Sequence, residues 1–326
     1  MVSTDPSPVS PIGTASPVPD EIATFALADL SGSPGWRRPV IVERELLILT
    51  TRGHGDAELD FHPLPCRPGT LLRVRAGQVL RCAGRQFDAT VVAWEPEALR
   101  GFGVELDTPV TWRQLAGEDE DAVITEVSQL SVDCRRHPDS LTACALLRHQ
   151  LAVLLLRLAL ANPDRSTPRP EDETFHRFRR EVEHGYPHTR RVEDYAANLR
   201  CSVRTLTRAC LAVTGRSAKQ VIDERVALQA GRLLAATDQP IAQIGRHLGF
   251  SEPTNFGRFF TREVGVSPGA FRAARDQPAA RVVRPRPPAE PTSVNSGRFR
   301  AVGTPNGGHA TRPGSPGAPT GDPGRA

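Results

Sequence analysis

The chain has 326 residues, 39% of them hydrophobic and 5% aromatic, which suffices for two globular domains plus tails. Its net charge of +4 conceals an asymmetry: residues 1–173 carry 17 basic and 25 acidic side chains, 174–276 carry 17 and 10, and 277–326 carry 7 and 2. Six cysteines show neither a C-x-x-C pair nor zinc spacing, and the N-terminus has neither a basic start nor an apolar core. These features argue against a disulfide scaffold, a metal site and a secretory signal, and for a cytoplasmic protein with free thiols.

In chain order, residues 1–20 are rich in Pro and Ser and are expected to be a disordered tail. From 21 the texture is of short apolar runs broken by Gly and Pro. The runs at 40–42, 46–49, 71–74 and 90–94 are predicted strands, with Pro68-Gly69 and Ala76-Gly77 as turns. Short strands at such intervals predict a small antiparallel β-barrel.

From about 118 the period becomes helical. Leu147, Leu151, Leu154, Leu158 and Ala161 form a narrow apolar seam, widened by Leu146 and Leu155. The seam either packs on the barrel or pairs with its copy in a homodimer, and Leu147, Leu151, Leu154 and Leu158 are the predicted dimer contacts. Arg148, His149, Gln150 and Arg157 interrupt the stretch, so it does not read as membrane-spanning. Residues 21–162 thus form one predicted domain, and the proline-containing 163–173 a linker.

Residues 174–276 read as helical throughout, with a first helix at roughly 175–184. Here one pattern occurs twice. Val192, Tyr195, Ala196, Leu199, Cys201 and Ser202 match Ile241, Ile244, Gly245, Leu248, Phe250 and Ser251 at an offset of 49. After one extra residue, Leu206, Arg208, Gly215 and Ser217 match Phe256, Arg258, Gly265 and Ser267 at 50. Each copy has the form of a helix-turn-helix, in which the first helix braces and the second enters the major groove of DNA. Ala196 and Gly245 are the small residues at the helix crossing, and Ser202 and Ser251 are predicted caps of the second helices. Between the copies, Ser217-x-x-Gln220 is a capping box opening a long helix. That helix carries Ile222, Val226, Ala230, Leu233 and Leu234 on its apolar face and ends before Asp238-Gln239-Pro240, whose proline suits the next helix's first turn.

The outward side chains are the candidates for DNA contact: Ser202, Arg204, Thr205, Thr207 and Arg208 in the first copy, and Ser251, Thr254, Asn255 and Arg258 in the second. Gly257 lies inside the second recognition helix, where glycine destabilises a free helix by about 1 kcal/mol relative to alanine. The acidic front half and basic back half fit a sensor joined to a binder of double-stranded DNA. Residues 277–326, rich in Pro, Gly and Arg, are expected to be a second disordered tail.

The run from Gly249 to Pro268, together with Phe271-Arg272 and the stretch from Ser202 to Gly215, resembles the signature of the AraC/XylS family of bacterial transcription regulators. The resemblance implies seven helices over 174–276 with the two recognition helices in adjacent major grooves. By position, the base-facing slots fall on Arg204, Thr207 and Arg208, then on Pro253, Thr254, Asn255 and Arg258, with proline at a slot usually polar. More weakly, Phe61-His62-Pro63-Leu64, Arg67-Pro68-Gly69-Thr70 and Arg75-Ala76-Gly77-Gln78-Val79 resemble the cupin-like sensor domains attached to many members. The H-x-H of metal-binding cupins is missing, since His54 and His62 lie eight residues apart. The expected protein is therefore an α+β, nucleoid-associated promoter binder without cofactor. A small-molecule effector would sit in the barrel, and RNA polymerase would be a partner if the protein activates. The competing expectation, a DNA-modifying or repair enzyme with a fused AraC-type binding module, needs a reactive cysteine in a metal-binding or Pro-Cys-His-like setting; Cys66 follows Pro65, but Arg67 follows it and no ligand cluster surrounds it.

Overall fold

The computed structural model describes residues 22–30, 36, 38–83, 87–102, 111–136, 140–160 and 170–276, all within one compact unit. The expected tails and residues 163–169 of the expected linker lie outside them.

Among the described residues nine strands form two antiparallel sheets. The first orders β1 (Ile22–Ala26), β8 (Phe87–Trp94), β3 (Glu45–Gly53), β6 (Thr70–Val74) and β9 (Trp112–Gln114). The second orders β2 (Val40–Ile41), β7 (Val79–Ala83), β4 (Gly55–Leu59) and β5 (His62–Cys66). The two sheets face each other as an open barrel. Alternation along β3 explains its unbroken apolar run. Leu46 and Ile48 enter the core between the sheets, with Leu72, Val74, Leu80, Cys82 and Val91. Leu47 and Leu49 point to the opposite face, with Leu71, Val92 and Trp94, where two helices cover them. The sequence patterning misses β5, His62-Pro63-Leu64-Pro65-Cys66. Its prolines are tolerated because β5 is an edge strand, which leaves one row of N–H groups without a ladder to serve.

The covering helices are α1 (Glu118–Arg136) and α2 (Leu141–Leu160). Four acidic residues open α1 and Arg135 and Arg136 close it, matching its dipole at both ends. Helix α2 corrects the predicted dimer seam. Leu147, Leu151 and Leu154 are buried and Leu158 partly buried against α1 and the first sheet, so this stripe is consumed within the chain. The stripe left exposed is Leu146, Val153, Leu156 and Leu160. Among the described residues α2 is also the one helix long and apolar enough to cross a membrane, although one of its faces lies in this core.

The C-terminal domain contains seven helices: α3 (Pro170–Gly185), α4 (Val192–Asn198), α5 (Val203–Thr214), α6 (Ala218–Ala236), α7 (Ile241–His247), α8 (Pro253–Val264) and α9 (Pro268–Arg275). Helix α3 begins at Pro170, inside the segment read as linker, because proline suits a first helical turn and Glu171, Asp172 and Glu173 favour the positive end of the dipole. Helix α6 is the axis of the domain. Ile222, Val226, Ala230 and Leu234 on it are fully buried among Phe178, Tyr195, Leu206, Ile244 and Phe260.

Candidate nucleic-acid interface

The sequence repeat is a repeat of helix punctuation. Helix α5 ends on Gly215 at φ 70° and α8 on Gly265 at φ 88°, left-handed caps that glycine adopts without strain. Two residues on, Ser217 starts α6 and Ser267 starts α9, their side chains accepting from the backbone N–H of Gln220 and Ala270. The capping box of Ser217 and Gln220 is complete. The bracing residues also correspond. A Cβ at Gly245 would stand 3.1 Å from Phe256, and in the first copy the matching positions hold the larger Ala196 and the smaller Leu206.

In the first motif, Ser202 caps α5 by accepting from the Thr205 N–H at 3.0 Å, and its hydroxyl lies 2.8 Å from the Thr205 hydroxyl. Thr205 is therefore engaged within the cap. Arg204, in the first turn, and Arg208, one turn later, are exposed, and Thr207 is half-buried. Leu206, Ala209 and Cys210 hold the other face of α5 in the core.

The second motif departs from the expected cap. The N-cap of α8 is Glu252, which makes no side-chain cap bond, and Ser251 precedes it as an exposed residue. The one extra residue of the second copy, Glu252, accounts for the shift, and Pro253 at N1 presets the helical φ. Similarly, Pro240 is the N-cap of α7 and does not lie within its first turn. Thr254, Asn255 and Arg258 are exposed on α8, while Phe256, Phe259 and Phe260 are buried. A Cβ at Gly257 would meet nothing within 4 Å, so packing within the chain does not demand glycine there.

The arginines of this domain fall into two groups. Arg216 pairs with Glu224, Arg225 with Glu183, Arg262 with Asp223 and Glu263, and Arg232 and Arg275 with carboxylates of the N-terminal domain. Arg272 donates to the carbonyls of Leu234 and Gln239. By contrast Arg204, Arg208 and Arg258 are exposed and have no carboxylate partner among the described residues. Uncompensated positive charge is thus left on the two recognition helices.

Two further arginines escaped the reading of the sequence. Arg200 lies in the turn of the first motif at φ 53°, the position matched by Gly249 at φ 77° in the second. A left-handed backbone costs a side-chain-bearing residue roughly 1–2 kcal/mol, so an exposed arginine there stands out. The repeat alignment itself carried that signal. Arg190 stacks over the Phe250 ring at 3.8 Å and donates to the Gly249 carbonyl at 3.3 Å, tying the loop before α4 to the turn of the second motif. Burial lowers its pKa, with Asp223 opposing.

Fold and site together define a two-domain DNA-binding protein, a β-sheet domain joined to a double helix-turn-helix. Residues 195–274 match the family model described as a helix-turn-helix domain. The DNA-binding domain of AdpA, a global transcriptional factor solved in complex with a target DNA, is 32% identical over 32% of this chain and 91% of that one, with a TM-score of 0.28. An AraC-type transcriptional regulator from Chromobacterium violaceum is 25% identical over 32% of this chain and 95% of that one, TM-score 0.31. ToxT from Vibrio cholerae is 12% identical over 78% of this chain and 98% of its own, TM-score 0.42. No curated protein matches the chain significantly. Residues 195–274 thus form an AraC-type helix-turn-helix domain.

Proposed function

We propose that the protein controls transcription by binding promoter DNA with both helix-turn-helix motifs, α5 and α8 each entering a major groove on one face of the duplex. The observation that carries this reading is the exposed, unpaired Arg204, Arg208 and Arg258 on two recognition helices whose opposite faces are fully packed. Arg204 in the first turn of α5 is the base reader, with Thr207 and Arg208 beside it. Thr254, Asn255 and Arg258 contact the second groove, and Ser202, Ser251 and Arg200 face phosphates. The protein acts in the cytoplasm on the nucleoid, contacting RNA polymerase where it activates.

The sheet domain is the sensor. Its core holds Leu46, Ile48, Val74, Leu80, Cys82 and Val91, so an effector entering between the sheets would meet apolar side chains. A homodimer would form through Leu146, Val153, Leu156 and Leu160 of α2, which remain exposed. The repair-enzyme alternative needs a reactive thiolate. Cys66 is buried, burial pushes its thiol up, and burial pushes that of Cys82 up to about 12.

The test is a salt titration on selected and random duplexes. Selected DNA is expected to bind at least about 1,000-fold more tightly than random DNA at physiological salt, and Arg204→Ala to cut the selected affinity by about 1–3 kcal/mol. Equal affinity for both duplexes would overturn the reading.

A further inference from the structure

The two domains meet at a tight turn of the second sheet, where the Asp60 N–H also donates to the Val79 carbonyl at 2.8 Å. Asp60 and Phe61 connect β4 to β5, with Leu59 opposite His62, and both have positive φ, 47° and 70°. Turns of this kind favour Asn and Gly, and a bulky residue with positive φ is a backbone outlier. The side chains of this turn leave their own domain. The Phe61 ring is buried in the core of the C-terminal domain, edge-on to Phe271 at 5.3 Å and beneath the Arg275 guanidinium at 4.6 Å. It rests on Gly231 of α6, where a Cβ would come within 3.0 Å of the ring.

Asp60 is held as firmly. Arg232 of α6 donates to both its oxygens, at 2.8 and 2.7 Å, and the Gln78 side chain and Val79 N–H supply two more bonds. The Ala76-Gly77-Gln78-Val79 turn therefore braces this contact. Beside it, Glu58 accepts from Arg81 of β7 at 3.0 Å and from Arg275 of α9 at 2.5 Å.

From Phe61 a line of aromatic contacts leads to the second motif. Phe271 meets Phe260 at 5.4 Å, Phe260 meets Phe256 at 6.0 Å, and Phe256 meets Phe250 at 5.4 Å. The turn bears directly on α6 and α9 and, through the aromatic line, on α8, whereas α5 makes none of these ring contacts. The docked turn leaves Arg204, Arg208, Asn255 and Arg258 exposed, so it does not occlude the DNA face. On its other side, Leu59, adjacent to Asp60, lies in the core between the sheets.

We propose that Asp60 and Phe61 are positioning residues for the second helix-turn-helix motif. Seated between α6 and α9, the turn holds α8 in place for the second groove. A displacement of the turn therefore acts on the second half-site. This rests on the promoter-binding reading above.

The test compares the full-length protein with Phe61→Ala and Gly231→Leu. The first empties the seat; the second fills it from the helix side with a strong helix former, so that α6 keeps its fold while the ring is displaced. Each protein selects its sites from random-sequence duplexes, and the base-by-base profiles are compared. Arg204→Ala identifies the half belonging to the first motif. Both variants are expected to lose discrimination in the other half by roughly tenfold per position, with the first half unchanged. Circular dichroism establishes that each variant is folded, and affinities are referred to the folded fraction, so that a uniform fall in affinity is not loss of protein. An unchanged profile, or a uniform fall in affinity with the profile intact, would overturn the proposal while leaving DNA recognition standing. Failure of the wild type to select any sequence would instead sink the promoter-binding reading.

Discussion

Asp60 and Arg232, 172 residues apart in sequence, form a bidentate ion pair at 2.7 and 2.8 Å with less than a tenth of either residue exposed. A buried carboxylate that loses its cation remains desolvated without compensation, and breaking such a pair costs about 3–5 kcal/mol. Arg232→Ala should therefore lower the stability of the whole chain by roughly that amount in urea denaturation. An unchanged midpoint would mean that the pair contributes nothing beyond what water supplies.

The unequal caps of the two recognition helices give a paired prediction. Ser202 accepts from the Thr205 N–H, and Ser202→Ala should destabilise by about 1 kcal/mol. Ser251 lies one residue before the N-cap, so Ser251→Ala should leave thermal stability within about 0.5 kcal/mol of wild type. Equal losses would show that both serines cap.

Arg200 occupies a left-handed turn position that its repeat partner fills with glycine. Arg200→Gly should relieve about 1 kcal/mol of backbone strain while removing one phosphate contact. The expected signature is a higher melting temperature together with a salt dependence of DNA binding shallower by about one charge. A melting temperature that falls together with affinity would assign Arg200 to packing.

On α2, Val153→Glu with Leu156→Glu should give a folded monomer, because both residues are exposed. Leu151→Glu, placed in a fully buried site, should unfold the N-terminal domain. Sedimentation and far-UV circular dichroism separate these outcomes. A dimer that survives the double substitution would remove the exposed stripe from the interface.

The second domain was the more legible in sequence because its signals are local. Gly215, Ser217, Gly265 and Ser267 punctuate helices within a few residues of where they stand, and Leu206 and Phe256 face inward by helical period alone. In helix α2 the period marked out the stripe of Leu147, Leu151, Leu154 and Leu158, but periodicity alone does not distinguish packing on the sheet from pairing with another subunit. The edge strand with Pro63 and Pro65 carries the composition of a loop. The seating of Phe61 on Gly231 was invisible, since it joins segments 170 residues apart and neither has an unusual neighbourhood in sequence.

On the proposed function, α5 and α8 read one face of the same duplex. Hydroxyl-radical footprinting of the full-length protein on a selected operator tests it most directly. Two protected patches on one face, centred about 10–10.5 base pairs apart, are the predicted result, with Arg204→Ala weakening one and Arg258→Ala the other. A single protected groove, or protection spread evenly along the duplex, would contradict it.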